Sequence, residues 1–372
     1  MLKSCSRFQA ARGLSKSVKT TKYKIHSSDI PENSTIFSLV QPTGKFHLGN
    51  YLGSVRTWKE LCDLNRDDTT LIFGIADLHA ITVPIPDGQK LRQSRKEAIA
   101  SILSLGIDPS KAIIFNQSHV HQHAELHWLL STIAPMGLLN RMTQWKSKSN
   151  INKSNDEESM GNVKLGLFSY PVLQAADILL YQATHVPVGD DQAQHLELTR
   201  TLAQSFNMMF KSQVLTVPTT ILAPTKRILS LLDPASKMSK SDPNHNATIY
   251  LNDEPDVIAK KIKKAVTDSI SHEFCYDPIN RPGVSNLINI VSGIRRMSVA
   301  DVEKEIKHFT SHSEFKNYVT EVLIEALRVP RENFNLLIKD PEHLEKVARQ
   351  GSDAASQLAE KNIKKVKEIM GF

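Results

Sequence analysis

The chain has 372 residues, 40% of them hydrophobic and 23% charged, the balance of an ordinary soluble protein with room for two domains and a sizeable core. Its longest apolar runs, such as 175–181, are far too short to span a bilayer, so no membrane partner is expected. The net charge of +7 is weak evidence for nucleic-acid binding: Lys3, Arg7, Arg12, Lys16, Lys19, Lys22 and Lys24 all precede the first acid, Asp29, and setting those seven aside from 46 basic residues leaves 39 against 39 acidic ones.

Residues 1–28 are basic, rich in Ser and Thr, and lack a long apolar core. That is the pattern of a mitochondrial targeting presequence rather than a secretory signal, with a basic arm touching RNA as the alternative. We take 1–30 as the presequence and the mitochondrial matrix as the destination. Cys5, Cys62 and Cys275 are scattered, with no CxxC pair, so neither a disulfide framework nor a structural zinc is expected.

Residues 35–40 are β-branched and apolar and read as a buried strand, broken by Gln41-Pro-Thr-Gly44. From His47 onward Leu48, Tyr51, Leu52, Val55, Trp58, Leu61 and Leu64 fall at helical spacing. Strands follow at 70–75 and 112–115, with a helix near 89–105 between them and another over 123–133. His119, His121 and His123 alternate ahead of that helix, which reads as a surface loop, since a closed zinc site needs a fuller ligand set. Residues 147–163 are polar and aperiodic and read as a surface insertion. A helix over 170–182, a strand over 185–188 and a helix from Ala193 to near Phe206 complete the alternation. The pattern predicts a Rossmann-like α/β domain over 31–252, a parallel sheet with helices on both faces. Ligands then bind outside the carboxyl ends of the strands. Residues 247–251 look like a short strand. From 253 to 372 the sequence is helical, with segments at 256–266, 285–296, 299–309, 313–328 and 341–370, and predicts a second, all-helical domain.

Two stretches carry chemistry. Gln41-Pro-Thr-Gly-Lys-Phe-His-Leu-Gly-Asn50 sits where a strand turns into a helix, and backbone N–H groups and the helix dipole make such a junction an anion site. It is neither a P-loop nor GxGxxG. Lys237-Met-Ser-Lys-Ser241 lies in a polar loop bracketed by Pro234 and Pro243, where two ammonium groups among hydroxyls suit a polyanion that is gripped and released. Taken alone, such a loop is usually a solvated turn.

Together these stretches resemble the two signature motifs of the class I aminoacyl-tRNA synthetases: a variant of HIGH at 47–50, with Asn50 in place of the second His, and an unaltered KMSKS at 237–241. Residues 169–181 and 186–199 narrow the resemblance to the tryptophanyl branch, and the presequence to its mitochondrial members. The resemblance implies that tryptophan is activated by ATP with Mg²⁺ to tryptophanyl-adenylate and pyrophosphate, then transferred to the 3′-terminal adenosine of tRNA(Trp). It also implies a homodimer and an anticodon-binding role for 253–372.

Residue by residue, it implies that His47, Lys237, Lys240 and Lys148 act on the phosphates. Gln41, Thr43, Gly49, Asn50, Gly189, Asp190, Asp191, Ile228, Met238, Ser239 and Ser241 would line the nucleotide site. Asp177, Tyr170, Gln192, His79 and Gln174 would hold tryptophan, Gln174 standing where bacterial members carry Met. A carboxylate nucleophile is already ionised at neutral pH, so no general base is required. Asp190 or Asp191 could instead cap a helix, and Tyr170 and Ile228 could be plain core. Asp177 lies on an apolar helix face, where a lone charge is costly, and it suits an indole N–H, a donor with no acceptor capacity. The sister tyrosyl enzyme and a catalytically silent RNA-binding relative are the competing readings.

Overall fold

The computed structural model describes residues 25–42, 44–64, 66–149, 163–189, 192–222, 227–240, 242–270 and 273–372, and only the backbone of Ser147, Lys148 and Leu222. Five parallel strands form one sheet: β1 (Thr35–Val40), β2 (Thr70–Ile75), β3 (Ile113–Asn116), β4 (His185–Val188) and β5 (Thr219–Leu222), in the order β3-β2-β1-β4-β5. Their apolar runs are buried because helices cover both faces, as parallel strands require. β1 and β2 pair in register from Thr35↔Thr70 to Val40↔Ile75. The chain runs outward from β1 to β3, then returns to place β4 on the other side of β1. That reversal opens a crevice beyond the carboxyl ends of β1 and β4.

β5 is absent from the sequence expectation because it has only four residues and follows Pro218. Tertiary contacts hold it: Arg200 donates to Pro218 O at 2.8 Å and to Thr220 Oγ1 at 2.5 Å. Residues 247–251, expected as a strand, form a 3₁₀ turn (His245–Ala247) and then a single antiparallel bridge from Tyr250 to His47.

Helix α1 is built in three pieces, Leu48–Asn50, a π turn over Tyr51–Val55, and Arg56–Asp63. Around the sheet follow α2 (Asp77–Ala80), α3 (Gly88–Ser104), α4 (Gln122–Ser131), α5 (Met136–Asn140), α6 (Thr143–Lys148), α7 (Leu165–Leu180) and α8 (Ala193–Met209). The insertion expected over 147–163 lies largely outside the described residues.

The remainder is helical: α9 (Pro255–Lys264), α10 (Pro282–Arg295), α11 (Val299–Ile306), α12 (His312–Leu337) and α13 (Pro341–Met370). Proline opens α9, α10 and α13, where its missing N–H costs nothing. Ser311 and Glu314 form a capping box at the start of α12. The sequence pattern ends this helix at 328, ahead of Pro330, yet α12 continues through that proline to Leu337. Burial of Arg331 and Phe334 on its far side holds the extension in place. No described helix is long and apolar enough to cross a membrane.

One hydrophobic cluster joins Ile36, Trp58 and Phe73 to Ile288, Phe315, Leu323 and Leu344, so apolar contact is continuous across residue 253. The last helix returns to the sheet. Ala355, Ala359, Ile363 and Val366 of α13 pack into the cluster around Phe37 and Phe115. Gly351 lies so close to β3 that a Cβ there would overlap the Ile114 carbonyl. Gly351→Ala should therefore destabilise the fold by about 1–3 kcal/mol or more, read as a lower urea midpoint with unchanged slope; an unshifted midpoint would mean that α13 does not dock this way.

Candidate active site

At the carboxyl end of β1 the chain passes Gly44 and enters α1 through His47. This histidine caps the helix: Gly49 N–H donates to its Nδ1 at 3.0 Å, and His47 N–H donates to Asn50 Oδ1 at 3.2 Å. The reciprocal pair is a capping box, which gives Asn50 a structural reason to be there. A Cβ on Gly49 would come within 2.7 Å of the His47 ring, so glycine lets the imidazole fold over the helix N-terminus. With Nδ1 accepting, the proton of the neutral ring sits on Nε2. The ring stays neutral, since burial and then the charges of Lys240 and Lys237 bring its pKa down to about 3.

The lysine segment is clasped to this junction. Leu48 N–H donates to Ile249 O at 3.0 Å and Leu251 N–H to Phe46 O at 2.9 Å, which ties 46–48 to the stretch following the lysines. Leu229 bridges Lys237, and Met238 N–H donates to Ile228 O at 3.1 Å. Thr248 Oγ1 donates to Ser239 O at 3.0 Å. The Met238 side chain is in the core, Lys237 is exposed and Lys240 half-buried. Lys240 Nζ stands 5.9 Å over the Phe46 ring, and both Nζ and the Glu97 carboxylate of α3 lie beside Gly44. Burial lowers the Lys240 pKa to about 7, and Glu97 opposes the shift. The charges of two lysines are thus felt at the His47 imidazole, beside the start of α1, a setting that suits an anion.

The second half of the site is a buried carboxylate. Tyr170, Gln174 and Asp177 fall on one face of α7. Asp177 is 1% exposed and has three donors: Gln117 Nε2 and His123 Nδ1 to Oδ1, each at 2.7 Å, and His79 Nε2 to Oδ2 at 2.7 Å. Burial pushes its pKa up, but the two histidines and their hydrogen bonds hold it below the usual carboxylate range. Gln174 donates to Gln192 at 3.3 Å, Tyr170 OH to Gln144 at 3.3 Å, and buried His195 meets Tyr170 OH at 3.0 Å. The His79 and Tyr170 rings meet edge-on at 6.2 Å. An anionic acceptor walled by aromatic and amide groups fits a flat ligand with a single N–H.

The family of class I tRNA synthetases, W and Y, matches residues 31–328. The chain belongs to that family. It is 58% identical over 361 residues, 95% of each chain, to the mitochondrial tryptophan–tRNA ligase of Saccharomyces cerevisiae. Among solved structures, the tryptophanyl-tRNA synthetase of Mycoplasma pneumoniae is similar with a TM-score of 0.79 at 33% identity, covering 91% of this chain and 98% of that one. The Campylobacter jejuni tryptophanyl-tRNA synthetase, complexed with ADP and tryptophan, gives a TM-score of 0.70 at 32% identity, covering 91% and 100%.

In this class I synthetase, His47 and Gly49 lie close to the lysine segment, Asn50 is held to the His47 N–H, and Ile228 lends its carbonyl to hold Met238. Gln41 and Gly189 directly follow the neighbouring strands β1 and β4. Thr43, Asp190, Asp191 and Ser241 lie outside the described residues, as does the Lys148 side chain. His123 corrects the expectation of a surface loop: it lies in α4 with no exposed surface and bonds Asp177, while His119 and His121 are exposed. Gln117, Tyr181, Glu97 and Asn286 are further participants that the sequence did not single out. Asn286 of α10 reads both backbone groups of Leu229, at 2.9 and 3.0 Å, and so anchors the lysine segment to the helical part. Alternation hid His123, because His119 and His121 share its spacing without its burial.

A Lys240 pKa near 7 means that the free enzyme loses this charge as pH rises through neutrality. kcat/KM for the polyphosphate substrate should fall above that pH. Glu97→Gln removes the opposing carboxylate and should move this limb to lower pH, whereas an unmoved limb would detach Glu97 from the lysine.

Proposed function

We propose that this chain is a tryptophan–tRNA ligase: it activates tryptophan with ATP and transfers it to the 3′-terminal adenosine of tRNA(Trp). The observation that carries this reading is the 58% identity of the chain to a mitochondrial tryptophan–tRNA ligase, and the clasped segments 44–50 and 237–240 and the buried carboxylate of Asp177 support it.

In the first step a tryptophan carboxylate oxygen forms a bond to the α-phosphorus of ATP, and the bond to the bridging oxygen breaks to release pyrophosphate. The nucleophile is already anionic, so the chain's task is alignment and charge stabilisation. His47 donates Nε2–H toward the phosphates, Lys237 and Lys240 neutralise the departing pyrophosphate, and Lys148 is a third cation of the same kind. Gln41, Thr43, Gly49, Asn50, Gly189, Asp190, Asp191, Ile228, Met238, Ser239 and Ser241 surround the nucleotide. Asp177 accepts the indole N–H, and Tyr170, Gln174, Gln192 and His79 complete that pocket. In the second step a hydroxyl of the terminal ribose attacks the activated carbonyl carbon and AMP departs.

ATP enters as its Mg²⁺ complex. The ion would be carried largely on phosphate oxygens and water. Residues 31–252 form the catalytic part, and 253–372 contribute anticodon recognition. The basic segment 1–30 directs the chain to the mitochondrial matrix, a reading supported by the mitochondrial relative.

The chain acts as a homodimer. Ile81, Val83, Trp128, Met136 and Leu165 are exposed large apolar side chains on α4, α5, α7 and the turn after α2, and Gly166 abuts Thr82. Such a patch on one layer fits a second copy. Sedimentation should give twice the mass of the chain, and Trp128→Glu should give monomers; a monomeric parent chain would refute this.

Purified chain should charge tRNA(Trp) with tryptophan and reject tyrosine. Lys240→Ala should lower tryptophan-dependent pyrophosphate exchange by about 100-fold or more with tryptophan affinity little changed. An undiminished exchange rate would remove the lysine segment from the chemistry.

A further inference from the structure

The carboxylate of Asp177 has about four acceptor positions. Gln117 and His123 fill Oδ1, and among the described residues Oδ2 accepts from His79 alone. The side of the carboxylate that binds ligand is therefore Oδ2, and the side that sets its orientation is Oδ1. Gln117 is itself fixed, since its Oε1 accepts Leu78 N–H at 3.1 Å. His123 is fixed more firmly. Its Nε2 meets Tyr181 OH at 2.8 Å, its ring stacks on Phe115 at 5.7 Å and 18°, and Tyr181 stacks on Phe37 at 5.2 Å and 20°. Phe115 also meets Tyr181 edge-on at 5.9 Å. His123 and Tyr181 are both fully covered, at 0% and 3% exposure, and both ring nitrogens of His123 are engaged, Nδ1 by Asp177 and Nε2 by Tyr181, so the dyad acts through Asp177.

We propose that His123 and Tyr181 are positioning residues for indole recognition: the dyad locks the plane of the Asp177 carboxylate so that Oδ2 points at the ring N–H. The proposal rests on the reading of Asp177 as the indole acceptor. Because a carboxylate can only accept, His123 Nδ1 must carry a proton, and the phenol at Nε2 completes the chain. Burial, and then the Asp177 charge, hold the Tyr181 phenol well above its ordinary pKa, so it stays a hydroxyl. Without Nδ1–H the carboxylate keeps only Gln117 on Oδ1 and His79 on Oδ2, its plane is less tightly fixed, and Oδ2 tilts away from the axis of the indole N–H. Hydrogen bonds are lost steeply with misalignment, so the loss falls on the N–H contact rather than on the ring's apolar burial.

The test compares tryptophan with an isostere in which sulfur replaces the indole N–H, benzothienylalanine, by calorimetry on the full chain. His123→Leu should weaken tryptophan about 10-fold to 100-fold and leave the isostere within about twofold. His123→Asn, which returns an N–H donor near the Nδ1 position, should recover most of the affinity. Tyr181→Phe should give a smaller loss of the same selectivity. If Asp177→Asn separates the two ligands but His123→Leu and Tyr181→Phe weaken both equally, or neither, the dyad is only core and the proposal falls. If Asp177→Asn fails to separate them, the indole reading itself falls. Should His123→Leu not fold, the His123→Asn and Tyr181→Phe measurements carry the same comparison.

Discussion

A carboxylate shut away from water must be surrounded by donors or lose its charge, and Asp177 draws several elements of the fold together to meet that demand. Its donors come from α2, from the turn after β3 and from α4, while the carboxylate itself stands on α7. Four elements thus converge on two oxygens, and removing any one donor leaves a buried charge less satisfied. Nearby Asp77 repeats the arrangement at the end of β2, accepting Ser118 N–H at 2.8 Å and pairing with Arg95 at 3.0 Å. Together the two carboxylates rivet β2 to β3 at their carboxyl ends. The pocket is rigid on this side because its polar groups already bind each other before any ligand arrives.

The clasp around His47 and the lysine segment is built differently. Its groups are backbone and ammonium, held by a clasp of bridges between 46–48 and 249–251 and between 228–230 and 236–238. Asn286 and the buried pair Arg296–Glu60 connect this clasp and α1 to the helical part. The far end of the chain supports the tryptophan side: α13 bonds α4 through Glu360–Gln122 at 2.8 Å and Lys367–Glu125 at 2.7 Å, and α7 through Asn362 to Leu180 O at 3.0 Å. The helical segment therefore contacts both the clasp and the elements around Asp177.

Much of this was legible in local sequence. The strand run at 35–40, the helical spacing after His47 and the alternation through 206 define a parallel α/β sheet, because side-chain periodicity reports which faces are covered. Asp177 stood out as a charge on an apolar helix face. What misled was also local: the helical pattern stopped at 328, 247–251 looked like a strand, and β5 was too short to show. In each case contacts from elsewhere in the chain overrode the nearby signal.

By itself the sequence determined the kinds of element, the two signature stretches of the family and the presence of a carboxylate that needed partners. Only the tertiary structure decided which partners those are. The donors to Asp177 lie 54, 60 and 98 residues away along the chain, and no period of two or 3.6 residues encodes a meeting across such distances. His123 is separated from exposed His119 and His121 only by how the chain folds over it.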